Sequence, residues 1–432
     1  MEHRVEKRIC WRVFLAVLTS SLIFLLSFGI SLNNTAPSVA QTQNKLLEIT
    51  FKSVQNLSNI TSRPRYQMPN NPDNQPIIKE VEKKDIGITK GSHRKETQPS
   101  QDMIREEIMK YYSKLMNRFK TKQFLPDYKN PCVLEKEKIR CLPYFYLIGA
   151  PKSGTTDLWW NIVRHPSVVR RVKEGSWWTN EEKTYWYISN YLDKQHSLVE
   201  RANKSSTARA SLIIGDGSAS TLWDNHLILH ASSTSENGEL PFVWADVIHC
   251  IQPGAKIIAI LREPVERTIS SYFAFGENQS PEDFHSNVEK EINRFNDCLK
   301  TRTLRTCANL SYYPRIQVSV YISHIREWLR VYPRKRKQVL ILRTEDWHNR
   351  LKLHLLPKVF TFLEINPMTE KQLRPLWAEA KSIQNKEVSK HGERKFGTIL
   401  QETKQLLRNF YRPYNEQLAE FLEDDRFLWK ND

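Results

Sequence analysis

A glycine-containing turn between an apolar run and a helix is the strongest chemical signal in this 432-residue sequence. The run 144–148 leads into Gly-Ala-Pro-Lys-Ser-Gly-Thr-Thr at 149–156, and a helix is predicted to begin near Thr155. A turn of this kind points backbone N–H groups and the positive helix end at an anion. The sequence therefore predicts an anion site built from Lys152, Ser153, Gly154, Thr155 and Thr156.

This turn differs from the phosphate loop of nucleoside triphosphatases in the place of its lysine. Gly149 and Gly154 have the separation of that loop's two glycines, but the loop requires a lysine directly after the second glycine. Thr155 occupies that position here, and Lys152 lies inside the turn. The displacement argues against a triphosphatase, and a strand-to-helix turn without a ligand remains the alternative.

A second strand-to-helix unit carries an arginine and a serine. The buried strand 256–261 is followed by Arg262, and a helix is predicted from about Val265. Arg262 thus stands at the carboxyl end of a strand, where open α/β sheets bind ligands, and Ser270 lies two helical turns further on. The two side chains could hold a second phosphate, whereas Arg267 between them could equally be a surface residue.

The two motifs together resemble the 5′-phosphosulfate loop and the 3′-phosphate site of Golgi carbohydrate sulfotransferases. The resemblance runs from about Tyr128 to the C-terminus through five stretches: CLPYFYLIGAPKSGTTDLW, KEGSWWT, IIGDGSASTLWDN, AILREPVERTISSY and FYRPYNEQLAEFL. Within that family it is strongest for enzymes that modify chondroitin and dermatan sulfate. It implies 3′-phosphoadenylyl sulfate as sulfuryl donor, no metal, and O-6 of N-acetylgalactosamine 4-sulfate in a glycosaminoglycan as acceptor.

The resemblance also implies roles at the donor. Lys152 would reach the oxygen that bridges sulfur and phosphorus and stabilise the charge developing there. The amides and hydroxyls of 153–156 would cradle the 5′-phosphate, and the 3′-phosphate would bind Arg262 and Ser270. In the basic segment 385–397, the donor or the glycan would contact Lys390 and Arg394. A solvated loop is the alternative for that segment.

Glu174 is the predicted base that accepts the proton of the acceptor hydroxyl. It follows Lys173, a predicted substrate contact, in the Lys-Glu-Gly-Ser-Trp-Trp segment about twenty residues after the phosphosulfate loop, where related enzymes carry their glutamate. Those relatives have Pro-His in place of Gly175-Ser176, so another glycan acceptor and a catalytically lapsed glycan-binding protein remain alternatives. A Glu174 that only pairs with Lys173 or Arg171 at the surface is also left open.

Asp-Gly-Ser-Ala-Ser at 216–220 resembles a loop that lines the catalytic cleft of the family. The resemblance implies that Asp216 or Ser218 contacts donor or acceptor. A capped helix start is the alternative, because Asp and Ser are favoured at that position. His226 and His230 have the spacing of helix-borne metal ligands but lack an adjacent acidic base, so no metal site is predicted.

The elements that must position these residues indicate an α/β fold, a P-loop-like domain with a central, mostly parallel sheet flanked by helices on both faces. Strands are predicted at 144–148, 256–261 and 339–342, with a fourth at 212–214. Apolar residues at helical spacing predict an amphipathic helix over 102–124. That helix either packs on the domain or self-associates into a homo-oligomer.

The N-terminus predicts the compartment. Residues 13–32 carry no charge, are long enough to span a bilayer as a helix, and follow four basic residues. We expect a cytoplasmic tail at 1–12, a type II Golgi membrane anchor at 13–32, a luminal stem at 33–127 and a catalytic domain at 128–432. A cleaved signal peptide is the alternative.

The net positive charge of the chain favours an anionic partner, and the predicted luminal location indicates which kind. The chain has 65 Lys and Arg against 48 Asp and Glu, a net charge of +17, which favours an anionic partner. A luminal location argues against nucleic acid and leaves anionic glycans. An oxidising lumen predicts two local disulfides, Cys132–Cys141 and Cys298–Cys307, with Cys250 a free buried thiol. An intermolecular bridge through Cys250 is the alternative. N-glycosylation triplets begin at Asn33, Asn56, Asn59, Asn203, Asn278 and Asn309.

Overall fold

The computed structural model describes residues 100–120, 123–135, 137–176, 178–179, 201–231, 238–275, 280–310, 313–333, 337–348, 352–374 and 398–430. All of them belong to one compact unit, 91–432. The predicted tail and anchor, and the stem as far as residue 99, lie outside the described residues, so their boundaries stay predictions. Within these ranges, none of the helices has both the length and the apolar character needed to cross a bilayer.

The described elements alternate between strands and helices, as expected. In chain order they are α1 Gln101–Lys120, β1 Cys132–Glu135, β2 Lys138–Cys141, β3 Phe145–Gly149, α2 Thr155–Ile162, α3 Ser206–Ser211, β4 Gly215–Asp216, α4 His226–Ala231, α5 Trp244–Ile251, β5 Lys256–Leu261, α6 Pro264–Phe275, α7 Pro281–Thr301, α8 Leu304–Asn309, α9 Tyr321–Val331, β6 Val339–Arg343, α10 Thr344–His348, α11 Lys352–Phe362 and α12 Gln401–Leu422. A 3₁₀ turn, Ile316–Ser319, precedes α9.

The central sheet has the strand order β4-β3-β5-β6, and every pairing in it is parallel. Three predicted strands are confirmed to within one residue. The fourth was placed too early, because the sheet pairing falls on Gly215 and Asp216 while Ile213 makes only an isolated bridge to Val168. A Cβ at Gly215 would lie 2.2 Å from the ring of Phe145, so the close approach of β4 to β3 requires glycine.

Helices cover both faces of the sheet, which confirms the predicted layers. Along β5, Ile257 and Ala259 face one apolar core while Ile258 and Ile260 face the other, the two-residue alternation of a strand buried on both sides. The first core is shared with α5, α6, α9 and α12, and the second with α2 and α11. The carboxyl ends of β3 and β5 are thereby held side by side, with the two predicted anion motifs following them.

Helix α1 packs on the domain. Ile104, Ile108 and Leu115 are buried in the first core, and α1 contacts α5. Tyr112, where α1 departs from helical geometry, places its ring 5.4 Å from that of Trp244. Of the two alternatives for the predicted helix, the structure therefore shows packing against the domain.

Both predicted disulfides are present. Cys132–Cys141 joins the ends of the β1–β2 hairpin, a pair of strands that the charged sequence between the cysteines did not predict. Cys298–Cys307 joins α7 to α8. Cys250 is free as predicted, but it lies half-buried on α5 rather than fully buried.

Candidate functional site

Gly149 ends β3 at a point where no side chain fits. Its φ of +154° is disfavoured for other residues, and an added Cβ would lie 2.8 Å from Leu222 Cβ and 2.9 Å from the carbonyl oxygen of Ala219. Lys152 and Gly154 then adopt left-handed backbone conformations, with φ of 66° and 80°. These conformations turn the chain sharply into α2, so 150–154 forms a compact loop at the end of the strand.

This loop has the features of an anion site. The first turn of α2 presents amides that have no acceptor within the helix. Ser153 is fully buried, and its hydroxyl has no hydrogen-bond partner among the described residues although it lies near the Tyr321 hydroxyl. A buried hydroxyl without a partner is costly, and a bound phosphate or phosphosulfate oxygen would satisfy it.

Thr344 ties the loop to the neighbouring strand. Its hydroxyl lies 2.7 Å from the carbonyl oxygen of Ser153 and 3.1 Å from that of Leu261 at the end of β5. Thr344 is the first residue of α10, directly after β6. Three parallel strands therefore contribute to one site at their carboxyl ends, a contribution from β6 that no sequence motif indicated.

Arg262 lies against the same loop. Its Nη1 donates to the carbonyl oxygen of Lys152 over 3.4 Å, and its Nη2 donates to Oε2 of Glu266 over 3.3 Å. The Tyr321 hydroxyl donates to the Arg262 carbonyl over 2.9 Å and fixes the backbone from which the guanidinium extends. The lysine and the arginine of the two predicted motifs are thus brought together at one site.

Ser270 is half-buried on α6, one helical turn beyond Glu266 and two beyond Arg262. Residues four apart lie on one face of a helix, so Ser270 shares the face on which Glu266 binds Arg262. Lys390 and Arg394 lie outside the described residues, and their predicted roles remain predictions.

Glu174 belongs to a segment that docks on the 216–220 loop. Its Oε2 accepts a hydrogen bond of 3.0 Å from the amide of Ala219, and its own amide donates to the Gly217 carbonyl over 3.1 Å. Oε1 forms an ion pair with Lys173, whose side chain is only 8% exposed, while that of Glu174 is 47% exposed. Glu174 is therefore paired and held in place, and its carboxylate also reaches solvent.

Asp216 and Ser218 support the segment that carries Glu174. Asp216 is 3% exposed and Ser218 fully buried, and both are engaged within the fold, so the contact with donor or acceptor predicted for one of them stays a prediction. Ser218 Oγ accepts from the Ser176 amide over 2.9 Å, and Asp216 Oδ1 accepts from the Ser218 amide over 3.0 Å. Burial raises the pKa of Asp216 to about 6, although hydrogen bonds from Ser218 and the nearby charges of Arg171 and Lys173 oppose the shift.

Trp159 on α2 connects the anion loop at 150–154 to the segment that carries Glu174. Its indole Nε1 donates to the Arg171 carbonyl over 3.3 Å, and a Cβ added at Gly217 would lie 2.6 Å from its ring. The helix that begins at the anion loop therefore also positions the segment that carries Glu174. The sequence offered only a weak sign of this: a tryptophan pair inside a short amphipathic helix.

Arg267 is not a surface residue. It is fully buried on α6, where its Nη2 donates to Thr268 Oγ1 over 3.1 Å and to the Arg315 carbonyl over 2.9 Å, and its Nε donates to Ser319 Oγ. Its depth follows from the packing of α6 against α12 and the 3₁₀ turn, which spacing along the sequence does not reveal.

The two predicted N-glycosylation sites among the described residues differ in burial. Asn203 is exposed, whereas Asn309 is 5% exposed and uses both ends of its amide in hydrogen bonds with Asn225 and the Arg305 carbonyl. This burial argues against a glycan on Asn309, whose modification stays a prediction. Asn33, Asn56, Asn59 and Asn278 lie outside the described residues.

Among the residues with described positions, no cluster of His, Cys, Asp and Glu could hold a metal ion.

The chain belongs to the sulfotransferase domain family, whose model matches residues 143–409 and so includes both anion motifs. Carbohydrate sulfotransferase 15 of Homo sapiens, an N-acetylgalactosamine 4-sulfate 6-O-sulfotransferase, is 36% identical over 318 residues, 68% of this chain and 55% of that protein. Its Rattus norvegicus counterpart has the same identity and coverage. The chain therefore matches about half the length of these relatives, and the predicted family resemblance is confirmed.

A more distant relative is the membrane-associated sulfotransferase kil1 of Dictyostelium discoideum, 23% identical over 370 residues, 75% of this chain and 73% of that protein. The crystal structure of a sulfotransferase from Alicyclobacillus acidocaldarius covers 67% of this chain and all of its own, with 19% identity and a TM-score of 0.42.

Proposed function

We propose that this chain transfers a sulfuryl group from 3′-phosphoadenylyl sulfate to a hydroxyl of a glycosaminoglycan, at O-6 of N-acetylgalactosamine 4-sulfate in chondroitin or dermatan sulfate. The observation that carries the proposal is the contact of Arg262 with the Lys152 carbonyl. It joins a loop suited to a 5′-phosphosulfate with an arginine suited to a 3′-phosphate. A nucleotide that bears phosphate groups on both sides of one ribose matches that arrangement.

The donor supplies an activated sulfuryl group, and the residues of the loop would hold it. In this proposal the amides of 154–156 and the hydroxyls of Ser153, Thr155 and Thr156 bind the 5′-phosphate. Lys152 neutralises the charge that collects on the leaving oxygen. Arg262 and Ser270 bind the 3′-phosphate, which requires the Arg262 guanidinium to exchange its contact with Glu266 for the ligand.

Glu174 is the proposed base. The acceptor oxygen forms a bond to sulfur while its proton passes to the Glu174 carboxylate, and the bond from sulfur to the bridging oxygen breaks to release adenosine 3′,5′-bisphosphate. Lys173 forms an ion pair with one oxygen of this carboxylate, and the Ala219 amide fixes the other. The exposed fraction of the Glu174 side chain gives a polymeric acceptor access to it.

A direct test uses the purified chain with radiolabelled donor and four acceptors: chondroitin 4-sulfate, dermatan sulfate, desulfated chondroitin and heparan sulfate. The proposal expects label on the 4-sulfated galactosaminoglycans, and disaccharide analysis should place it at O-6. Transfer to heparan sulfate alone would refute the acceptor assignment. Nucleotide binding without transfer to any acceptor would indicate a lapsed enzyme that binds glycans.

We also propose that the chain is anchored in the Golgi membrane by residues 13–32, with the catalytic domain in the lumen. The basic residues before that segment, the two disulfides and the exposed triplet at Asn203 support the proposal. Protease treatment of intact Golgi vesicles should leave the domain intact, and endoglycosidase should lower its apparent mass. Digestion of the domain in sealed vesicles would refute the topology.

A further inference from the structure

Arg267 carries a charge that the described part of the chain does not balance. The side chain is fully buried, and its hydrogen bonds go to the neutral oxygens of Ser319, Thr268 and Arg315. No ion pair joins it to a carboxylate among the residues that the structure describes, and its Nη1 has no hydrogen-bond partner among them. A buried guanidinium without an anion is destabilising, because burial removes its hydration.

The surroundings of Arg267 increase the free-energy cost of burying its charge. Burial lowers the pKa of the guanidinium, and the like charge of Arg262 lowers it further, while Tyr321 and Tyr411 act in the opposite direction. Tyr411 on α12 is bonded to Thr268 over 2.7 Å and donates to the Ile316 carbonyl over 3.0 Å, so it holds the pocket closed from that side. Two arginines therefore lie near one another, and neutral hydroxyls fill the space around the buried one.

Arg267 is connected to the donor site through Tyr321. The Tyr321 hydroxyl is bonded to the Arg262 carbonyl, and both Ser153 and Ser319 lie beside it. Ser319 is the acceptor for Arg267 Nε. The buried charge thus lies behind the two elements that face the proposed ligand, and none of its atoms belongs to the ligand-facing surface.

We propose that Arg267 is an electrostatic positioning residue of the donor site, whose unbalanced charge is compensated by the phosphate groups of the bound nucleotide. The inference rests on the proposed function, since it needs an anionic nucleotide at the loop and Arg262. In the interior of a protein the interaction between a buried charge and a bound anion is weakly screened. The free protein then tolerates an unfavourable charge that the nucleotide converts into binding energy.

The proposal predicts opposite effects on stability and on affinity. Arg267→Met removes the charge and keeps an apolar side chain of similar length, so the free protein should melt at the same temperature or higher. The same variant should bind adenosine 3′,5′-bisphosphate about tenfold more weakly by titration calorimetry, equivalent to about 1.4 kcal/mol. Arg267→Lys, measured at pH 6 to keep the lysine protonated, should retain affinity within about threefold of the wild type even if it melts lower.

Arg330→Met is the matched control. Arg330 is a half-buried arginine that is balanced within the protein, since its Nη2 binds Asp246 at 2.8 Å and Glu327 at 2.6 Å. Removing it leaves Asp246 and Glu327 with Arg305 as their remaining basic partner, at 3.9 Å and 3.2 Å, so the free protein should melt lower. Its folded fraction should bind the nucleotide with an affinity within about twofold of the wild type.

The outcomes separate this inference from the function on which it rests. Failure of the wild-type chain to bind adenosine 3′,5′-bisphosphate overturns the proposed function and this inference with it. Wild-type binding with unchanged affinity in Arg267→Met overturns the inference alone. An Arg267→Met chain that melts lower or does not fold also overturns it, because that result identifies a structural residue.

Discussion

The amide of Ala219 donates a hydrogen bond of 3.0 Å to Oε2 of Glu174, although the two residues are 45 positions apart in the chain. The carbonyl oxygen of the same Ala219 faces Gly149, where β3 passes into the anion loop. One residue therefore contacts the proposed base on one side and the donor loop on the other. A shift at this point would change the distance between the acceptor hydroxyl and the sulfuryl group.

Glu174→Gln should abolish sulfuryl transfer without loss of the donor site. Glutamine keeps an oxygen that can accept from the Ala219 amide, but it cannot take a proton at neutral pH. Loss of a general base lowers rates by about 10²–10⁴-fold, so we expect kcat to fall by at least about 100-fold. Affinity for adenosine 3′,5′-bisphosphate, measured by calorimetry, should stay within about twofold of the wild type.

Glu370→Gln is the control for that variant. Glu370 is an exposed glutamate that also pairs with a basic residue, Arg374, one helical turn away. Its replacement should leave both turnover and affinity unchanged. Full activity in Glu174→Gln would remove Glu174 from the mechanism, whatever the control shows.

Lys152→Ala and Arg262→Ala should both abolish turnover and weaken nucleotide binding. The two variants should differ in which phosphate group of the nucleotide loses its contact. Arg262→Ala should erase the preference for adenosine 3′,5′-bisphosphate over adenosine 5′-monophosphate, because only the former has a phosphate for the guanidinium. Lys152→Ala should weaken both nucleotides alike. Competition titrations with the two nucleotides measure this, and Arg374→Ala, at an exposed arginine, serves as the control.

Much of the fold follows from local patterns in the sequence. The apolar runs of β3 and β5 are buried on both faces, and that of the edge strand β6 is buried on one and partly buried on the other. Such runs between turn residues predict strands without any knowledge of their partners. The β1–β2 hairpin was missed because its strands, CVLE and KIRC, are short and mixed in polarity. Its pairing follows from register and from the disulfide rather than from periodicity.

The candidate site could be predicted only where its chemistry lies within one motif. The loop at 149–156 and the pair Arg262 and Ser270 each lie within one short stretch of sequence, so their spacing and the family resemblance together predict them. The depth of Arg267 and Asp216 depends on elements packed from far along the chain, and spacing does not encode it. Thr344 was missed for the same reason, since its contact with Ser153 spans 191 positions.

Gly217→Ala should destabilise the protein and impair transfer, because an added Cβ would lie 2.6 Å from the ring of Trp159. Overpacking of a filled interior costs about 1–3 kcal/mol, so the free energy of unfolding in urea should fall by that amount. Gly254→Ala is the matched control, as no atom lies within 4 Å of its added Cβ. Equal stability of the two variants would contradict the close packing of Trp159 on the 216–220 loop.

Asp216→Asn should stabilise the protein, and increasingly so as the pH rises. Burial raises the pKa of Asp216 to about 6 from an ordinary 3.8, so between these values the folded state holds a proton that the unfolded state releases. Unfolding then releases a proton, and Asp216 contributes a loss of stability that grows from about pH 4 to about pH 6 and is complete above it. The shift corresponds to about 3 kcal/mol.

Urea denaturation of wild type and Asp216→Asn at pH 4.5 and pH 7.5 measures this difference. The variant keeps an oxygen for the Ser218 amide, so it should exceed the wild type by about 1 kcal/mol at the lower pH and by up to about 3 kcal/mol at the higher one. The charges of Arg171 and Lys173 oppose the shift, and the pKa of about 6 already includes their effect. Asp297→Asn, at an exposed aspartate, should show no such growth. A difference that shrinks as the pH rises would mean that Lys173 or Arg171 stabilises the ionised carboxylate more than burial opposes it.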